Sequence, residues 1–257
     1  MSATQTQTAK PRGRVKVETG AKRVRAYLGG EPVADTTGPL LVWEKPYYPT
    51  YYFPVEDVRT ELLEADGELV HSPSRGDGHT FTVRVGSREA PGAALRYEDS
   101  PIEELRDAIR LDWHAMDAWF EEDEEVFTHP RDPYTRVDIL PSSRHVRIEV
   151  DGVTVAESTS PRLLFETGLP TRYYFPKTHV HLELLEGTDT VSHCPYKGDA
   201  EWWSVRIGDR VHEDLAWSYP TSLPESQKVA GLIAFYDEKV DVYVDGVLQD
   251  RPRTKFS

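Results

Sequence analysis

The chain contains one segment twice. The run from Arg23 to Glu64 returns in recognisable form from His145 to Glu186, and the stretch Tyr51 to Pro54 returns 122 positions later as Tyr173 to Pro176. Because this spacing stays constant across several predicted strands, it indicates a duplicated domain, and two copies are too few to build a solenoid. The chain is therefore expected to fold as a tandem of two domains, each with a core of its own.

The remaining segments set the domain boundaries. We predict a disordered N-terminal tail over 1–14, a first copy over 15–128, a proline-rich linker over 129–142 and a second copy over 143–257. The tail is polar and has no apolar run of the kind that a secretory signal needs. The acidic stretch at 121–125 and the prolines that follow it are typical of a solvated, semi-rigid connection.

Charge and cysteine content exclude several classes of protein. The formal net charge of −14 argues against binding to nucleic acid or anionic lipid, because such proteins concentrate Lys and Arg. No apolar run approaches the ~20 residues that a membrane span requires. The only cysteine, Cys194, allows neither an intramolecular disulfide nor a zinc site of several thiolates. We expect a cytoplasmic protein with no metal or other cofactor.

Alternating apolar and polar residues predict a mainly β fold in both copies. The pair Asp151-Gly152 is a strong hairpin signal, since a type I′ turn needs positive φ at both central positions, and Gly29-Gly30 stands in the same place in the first copy. Many short strands with frequent turns favour a sandwich or barrel. The predicted strands are 24–28, 40–44, 51–53 and 81–85 in the first copy, and 146–150, 163–166, 173–175, 202–207 and 240–244 in the second.

Each copy is also predicted to carry one short helix. Ser100-Pro101 with Glu103 matches a capping box and predicts a helix that continues toward Leu111. Its counterpart in the second copy would run from Leu223 to about Leu232. A second pair of segments, 56–63 and 179–185, fits helical and strand periods equally, so both alternatives remain open there.

A series of ordered, largely aromatic blocks distinguishes the second copy. They are Asp151-Gly152, Ala156-Glu157-Ser158, Leu164-Phe165-Glu166, Tyr173-Tyr174-Phe175-Pro176, Cys194-Pro195-Tyr196-Lys197-Gly198, Trp202-Trp203-Ser204-Val205, Glu213 to Pro220, and Ile233-Ala234-Phe235-Tyr236.

With these blocks the second copy resembles DUF427, a bacterial domain family of unknown function, over 144–248. The first copy resembles it only in part, because it lacks the Cys-Pro-Tyr-Lys-Gly block and has Leu95 where the second has Trp217. The resemblance implies a small β-tent-like or half-barrel domain with no settled activity. One label of the family suggests a nucleotidyltransferase, but the sequence has neither a Gly-Ser motif followed by an Asp-x-Asp pair nor the glycine-rich phosphate loop of such enzymes.

Eight residues of the second copy form the candidate ligand site. Aromatic side chains in this density could wall a concave pocket, in which a carboxylate and an ammonium orient the ligand. The alternative is that the same aromatic side chains form the core of a small β domain. The candidates are Glu166, Tyr173, Cys194, Tyr196, Lys197, Trp202, Trp217 and Tyr219.

Three of these residues are also candidates for catalysis. Lys197 could hold an anion, or act as a nucleophile or base if burial lowers its pKa, whereas an exposed turn lysine is the alternative. Glu166 could orient a ligand, but its recurrence as Glu44 in the first copy also suits a structural anchor. Cys194 could act as a thiolate, although adjacent strand residues face opposite ways and His193 is therefore badly placed to activate it.

Two histidines are candidate metal ligands. His179 and His181 would share one face of a strand, and His193 could add a third ligand. The first copy has Asp57 and Arg59 at the matching positions, and no motif fixes the third ligand, so surface histidines are favoured.

Two classes of function remain open from the sequence. The first is a protein that binds or acts on a small polar or aromatic metabolite in the second copy, with Lys197 and Glu166 orienting it. The second is a non-catalytic interaction or structural module, whose aromatic side chains would form one broad exposed patch that docks a partner protein. The first copy is expected to have a structural or regulatory role.

Overall fold

The chain folds into two compact, mainly β units. The structure is a computed structural model that describes residues 15–254, so the predicted tail over 1–14 lies outside the described residues. The division falls between Pro130 and Arg131, and the two units are called the first and second domain below. Each contains one seven-stranded and one four-stranded antiparallel sheet. The predicted fold class is confirmed. Within 15–254 no helix is long and apolar enough to cross a membrane.

In the first domain the seven-stranded sheet has the order β1-β4-β5-β9-β8-β7-β6, and the four-stranded sheet has the order β11-β10-β2-β3. The strands are β1 (Lys16–Thr19), β2 (Val24–Leu28), β3 (Glu31–Thr36), β4 (Leu40–Trp43), β5 (Thr50–Pro54), β6 (Leu63–Ser72), β7 (Gly76–Val85), β8 (Arg88–Arg96), β9 (Ala108–Leu111), β10 (Ala118–Glu121) and β11 (Glu124–Glu125).

The second domain repeats this topology, with the orders β12-β15-β16-β20-β19-β18-β17 and β14-β13-β21-β22. Its strands are β12 (Val137–Pro141), β13 (Val146–Val150), β14 (Val153–Ser158), β15 (Arg162–Glu166), β16 (Arg172–Phe175), β17 (Leu185–Cys194), β18 (Gly198–Ile207), β19 (Arg210–Ser218), β20 (Ile233–Phe235), β21 (Asp241–Val244) and β22 (Val247–Leu248).

The predicted hairpin turns are present. Asp151 and Gly152 have φ angles of 51° and 76°, and Gly29 and Gly30 have φ angles of 60° and 80°. Positive φ at both central positions gives the twist that joins β13 to β14 and β2 to β3. By contrast, residues 137–141 of the predicted linker form strand β12, which pairs with β15 at the edge of the sheet.

Among residues 15–254 the helical content is limited to 3-10 turns. The helix predicted from Ser100 is a single turn at Glu103–Leu105, because Ile109 and Leu111 lie in β9. Segments 56–63 and 179–185, for which both periods fitted, each overlap two 3-10 turns. The 3-10 turns are Val55–Asp57, Thr60–Leu62 and Glu103–Leu105 in the first domain, and Lys177–His179, Leu182–Leu184 and Pro224–Val229 in the second.

Each seven-stranded sheet buries residues on both faces. One face packs on the four-stranded sheet and forms the inner core, which in the first domain includes Tyr51 and Phe53. The opposite face carries a smaller outer cluster, which includes Tyr52. Because successive strand residues point to opposite faces, neighbouring tyrosines contribute to different clusters. The outer cluster of the second domain comprises Ile139, Leu164, Tyr174, Ala200, Trp202, Trp217, Tyr219, Val229 and Ala234.

Candidate functional site

A buried ion pair lies at the edge of the outer cluster of the second domain. Glu166 is the last residue of β15, and Lys197 lies in the hairpin between β17 and β18. The Lys197 ammonium donates to a Glu166 carboxylate oxygen at 2.5 Å, and the two side chains are only 10% and 9% exposed. A charged pair this deeply buried costs desolvation energy that its mutual attraction must offset.

A glycine positions the lysine. Gly198 follows Lys197 with φ of 98°, and a Cβ there would lie 3.1 Å from the carbonyl oxygen of Thr221. Side chains other than glycine are strained in this conformation. The tight turn is closed by the Lys197 amide, which donates to the carbonyl oxygen of Cys194 at 3.3 Å. The turn therefore directs the Lys197 side chain inward, toward Glu166.

The surroundings keep Lys197 charged. Burial alone would lower its pKa, but Cys194, Glu166 and Tyr174 together with the hydrogen bond to Glu166 outweigh burial, so the pKa lies above its ordinary value. A raised pKa is the opposite of the lowered pKa that a lysine nucleophile or base would need. Lys197 is suited to hold and orient an acceptor group, because an ammonium offers three hydrogen-bond donors.

Two tyrosine hydroxyls lie close to this pair. Burial raises the pKa of Tyr174 to about 12, although Lys197 and the hydrogen bond from Trp217 act in the opposite direction. Burial also raises the pKa of Tyr219, with further contributions from Tyr174, Cys194 and Glu166. Both phenols therefore remain protonated and keep a proton that a hydrogen-bond acceptor could take.

Three aromatic rings form one side of the cluster. The ring centroids of Trp202, Trp217 and Tyr236 lie 5.1 to 5.4 Å apart, within the range of favourable aromatic contacts. Trp217 Nε1 donates to the Tyr174 hydroxyl at 3.3 Å. Trp202 and Trp217 are buried, whereas Tyr236 is half-buried and reaches the surface.

A second buried charge cluster adjoins these rings. Arg172, at the start of β16, forms a bidentate pair with Glu238 at 2.6 and 2.7 Å, and its guanidinium carbon lies 5.9 Å from the centre of the Trp217 ring. The carboxylate of Asp237 lies 3.4 Å from the same guanidinium. Thr254 donates to Glu238 at 2.7 Å. Two acidic side chains thus share one buried arginine.

A family model described as a domain of unknown function (DUF427) matches residues 16–122 and 138–246. The chain belongs to the DUF427 family. Both domains are matched, so the first is a DUF427 domain although its motifs are incomplete. A comparison with curated proteins finds no match.

The two DUF427 domains place related residues at the same position. In the first, the Tyr52 hydroxyl donates to Glu44 at 2.6 Å, and Arg75 lies 3.6 Å from the same carboxylate oxygen. Arg75 corresponds to Lys197 and Tyr52 to Tyr174. The first domain therefore keeps the carboxylate, the cationic side chain and the tyrosine at these positions. It has no counterpart of Cys194, Trp202 or Trp217.

The structure separates two of the predicted site residues from the others. Tyr173 packs against the inner core, on the opposite face from Tyr174. Tyr196 is half-buried, and its hydroxyl accepts a hydrogen bond from the Asp132 amide at 2.7 Å. The remaining candidates, namely Glu166, Cys194, Lys197, Trp202, Trp217 and Tyr219, lie in or beside the outer cluster.

The histidines are engaged separately. His193 lies 2.6 Å from Asp199, while Cys194 packs against the outer cluster on the other face. The His179 ring lies 2.8 Å from the Ser158 hydroxyl, and the His181 ring lies 2.9 Å from Glu183. In the part of the chain that the structure describes, no group of three His, Cys, Asp or Glu side chains is arranged to hold a metal.

Sequence reasoning missed four residues of this region. Tyr174 and Tyr236 belong to the family blocks named above, but the predicted site includes Tyr173 and neither of these two. Successive residues of β16 face opposite sides of the sheet, and both sides are buried. The alternation therefore does not show whether Tyr173 or Tyr174 faces the outer cluster. Arg172 and Asp237 carry no local signal, since 65 positions separate them in the sequence.

Proposed function

We propose that the second DUF427 domain binds a small polar or aromatic metabolite at its outer cluster, with Lys197 and Glu166 orienting it. The observation that carries the proposal is a difference between the domains in unused hydrogen-bond donors. In the first domain the Tyr52 hydroxyl donates to Glu44. In the second, the equivalent Tyr174 hydroxyl accepts from Trp217, and among residues 15–254 its own proton has no acceptor.

Tyr219 strengthens this contrast. Its side chain is buried, yet its hydroxyl has no hydrogen-bond partner among the described residues. A ligand with a carbonyl or another acceptor atom would accept from Tyr174, Tyr219 and Lys197 together. Cys194 and Tyr236 pack against the cluster and are half-buried.

The charge state of Lys197 favours binding over covalent chemistry. An ammonium with a raised pKa does not attack a carbonyl carbon, because its lone pair is protonated. Glu166 already balances the charge of Lys197 at 2.5 Å. A neutral or singly charged ligand with planar polar groups fits this arrangement better than a polyanion does.

The interaction module is the second candidate. It requires the aromatic side chains to form a broad exposed patch, because docking surfaces of this kind are apolar and accessible. Trp202, Trp217 and Tyr219 are only 9%, 7% and 6% exposed. Their burial argues against a docking surface made from them.

The first test is a thermal-shift screen of the full chain and of Tyr219→Phe against metabolites, nucleotides and divalent metals. A ligand at 100 times its Kd adds about 2.7 kcal/mol to the free energy of unfolding. Without ligand, Tyr219→Phe should be as stable as the wild type or slightly more stable, since it removes an unpaired hydroxyl. With ligand it should lose most of the shift.

Tyr97→Phe is the matched control, because Tyr97 is the first-domain equivalent of Tyr219. A compound that stabilises the wild type and Tyr97→Phe but not Tyr219→Phe supports the proposal. An equal shift in all three proteins would place binding elsewhere. A broad panel without any shift would favour the interaction module.

A further inference from the structure

The first domain carries a second arginine where the second domain has none. Arg110 lies in β9 opposite Tyr52, and the corresponding residue opposite Tyr174 is Ala234. Arg75 in turn replaces Lys197. The outer face of the first domain therefore presents two guanidinium groups at a position where the second domain has one ammonium.

Both arginines approach Glu44 without forming a close pair. Arg75 Nη1 lies 3.6 Å and Arg110 Nε lies 3.8 Å from the same Glu44 oxygen, and that oxygen also accepts from the Tyr52 hydroxyl at 2.6 Å. A guanidinium that is fully paired with a carboxylate has N···O distances of about 2.7–2.9 Å. Tyr52 thus takes the short hydrogen bond, and the arginines remain at longer distances.

Several donors on this face have no partner. The Nε atoms of Arg75 and Arg110 are buried and have no hydrogen-bond partner among residues 15–254. Thr80 is 8% exposed, and its buried hydroxyl also has no hydrogen-bond partner among these residues. Thr80 lies opposite Leu95, and Leu95 lies opposite Arg110, so the three side chains form one row on the same face. The second domain fills the Thr80 position with Trp202.

We propose that the first domain binds a small carboxylate anion between Arg75 and Arg110 on the outer face of its seven-stranded sheet. The planar guanidinium fork matches a carboxylate in a bidentate manner, which an ammonium cannot do. The apolar side chain of Leu95 lies between Thr80 and Arg110 and suits the organic part of the ligand.

The local charge selects a monoanion. Glu44 and Asp112 lie within 4 Å of the two guanidinium groups and balance their charge, with Asp112 3.6 Å from Arg110. A carboxylate adds one negative charge to a neutral group of four side chains. A phosphate dianion adds two and meets both acidic side chains, so it should bind more weakly. This site is separate from the proposed metabolite site, which lies in the other domain.

The test is isothermal titration calorimetry of the full chain with sodium benzoate and with inorganic phosphate at constant ionic strength. The wild type should bind benzoate more tightly than phosphate. Arg110→Ala, which installs the second-domain residue, and Arg75→Lys, which keeps the charge but removes the fork, should each weaken benzoate binding roughly tenfold. Arg84→Ala removes one exposed arginine from the same domain and should leave binding unchanged.

Three results would overturn the proposal. They are the absence of benzoate binding to the wild type, an equal loss in Arg84→Ala and Arg110→Ala, and tighter binding of phosphate than of benzoate. If Arg110→Ala does not fold, the benzoate affinity of Arg75→Lys decides the test, because that variant preserves the charge balance. Tyr219→Phe affects only the other domain, so failure of one proposal is distinguishable from failure of the other.

Discussion

Replacing Lys197 with alanine is expected to lower the free energy of unfolding of the second domain by about 3–5 kcal/mol. The substitution leaves Glu166 as an unpaired charge in a site where both side chains are about one-tenth exposed. An isolated buried carboxylate must either take up a proton or draw water into the core, and both processes cost free energy. Urea unfolding combined with hydrogen exchange, resolved by domain, measures the loss.

Arg75→Ala is the matched control in the first domain. Its partner Glu44 keeps the hydrogen bond from Tyr52 and the nearby charge of Arg110, so the loss there should be clearly smaller. Neutralising both partners of the buried pair, as in Lys197→Met with Glu166→Gln, should recover most of the stability, because no unpaired charge remains. A loss below about 1 kcal/mol for Lys197→Ala would mean that the pair is solvated like a surface pair.

Lys197→Ala alone does not distinguish a ligand-binding lysine from a structural one. From the sequence, Lys197→Ala would separate a ligand-binding lysine from a structural one, because an exposed turn lysine contributes little to stability. The observed burial means that the variant loses stability whether or not a ligand binds. Tyr219→Phe avoids this problem, since it removes only a hydroxyl that has no partner among the described residues.

The strands could be predicted because their signals are local. Val146 to Val150 alternates in character, and the Asp151-Gly152 turn follows at once, so pattern and turn chemistry agree. The predicted helix toward Leu111 was wrong in extent for a different reason. Ala108–Leu111 pairs with β5 and β8, and these cross-strand contacts outweigh the local helix-start signal at Ser100.

The candidate site was predictable only in part. Family blocks located Glu166, Lys197 and Trp217, which the fold does bring to one region. The state of Lys197 was not predictable, because it depends on a 2.5 Å contact across 31 positions of sequence. Tyr173, which the sequence pointed to, packs on the inner core, whereas Tyr174 lies in the outer cluster. A strand that is buried on both faces gives no polar marker of its register.

The buried carboxyl of Asp237 is expected to make the second domain less stable as pH rises through neutrality. Burial raises the pKa of Asp237 to about 7, and Glu238 adds to this effect, while Arg172 opposes it. Arg172, Glu238 and Tyr173 are the ionisable groups that interact with this carboxyl. Because Arg172 is already held by Glu238 in bidentate geometry, it only partly compensates a second carboxylate.

The sign of the pH dependence follows from proton binding. Above about pH 4 the unfolded chain has released the Asp237 proton, whereas the native domain keeps it up to about pH 7. The native state therefore binds more protons in this window, and the free energy of unfolding falls with pH by on the order of 4 kcal/mol from this group. Asp237→Asn removes the titration, so the variant should exceed the wild type by a similar amount at pH 8 and by little at pH 4.

Thermal and urea unfolding of wild type and Asp237→Asn between pH 4 and pH 8 measure the difference directly. Asp189→Asn is the control, because Asp189 is an exposed carboxylate in β17 of the same domain, and its difference from the wild type should stay flat. A flat difference for Asp237→Asn as well would mean that Arg172 holds both acids ionised in the native state. If Asp237→Asn instead becomes more stable than the wild type between pH 5 and pH 7, the charge of Arg172 is balanced by Glu238 and burial keeps Asp237 neutral.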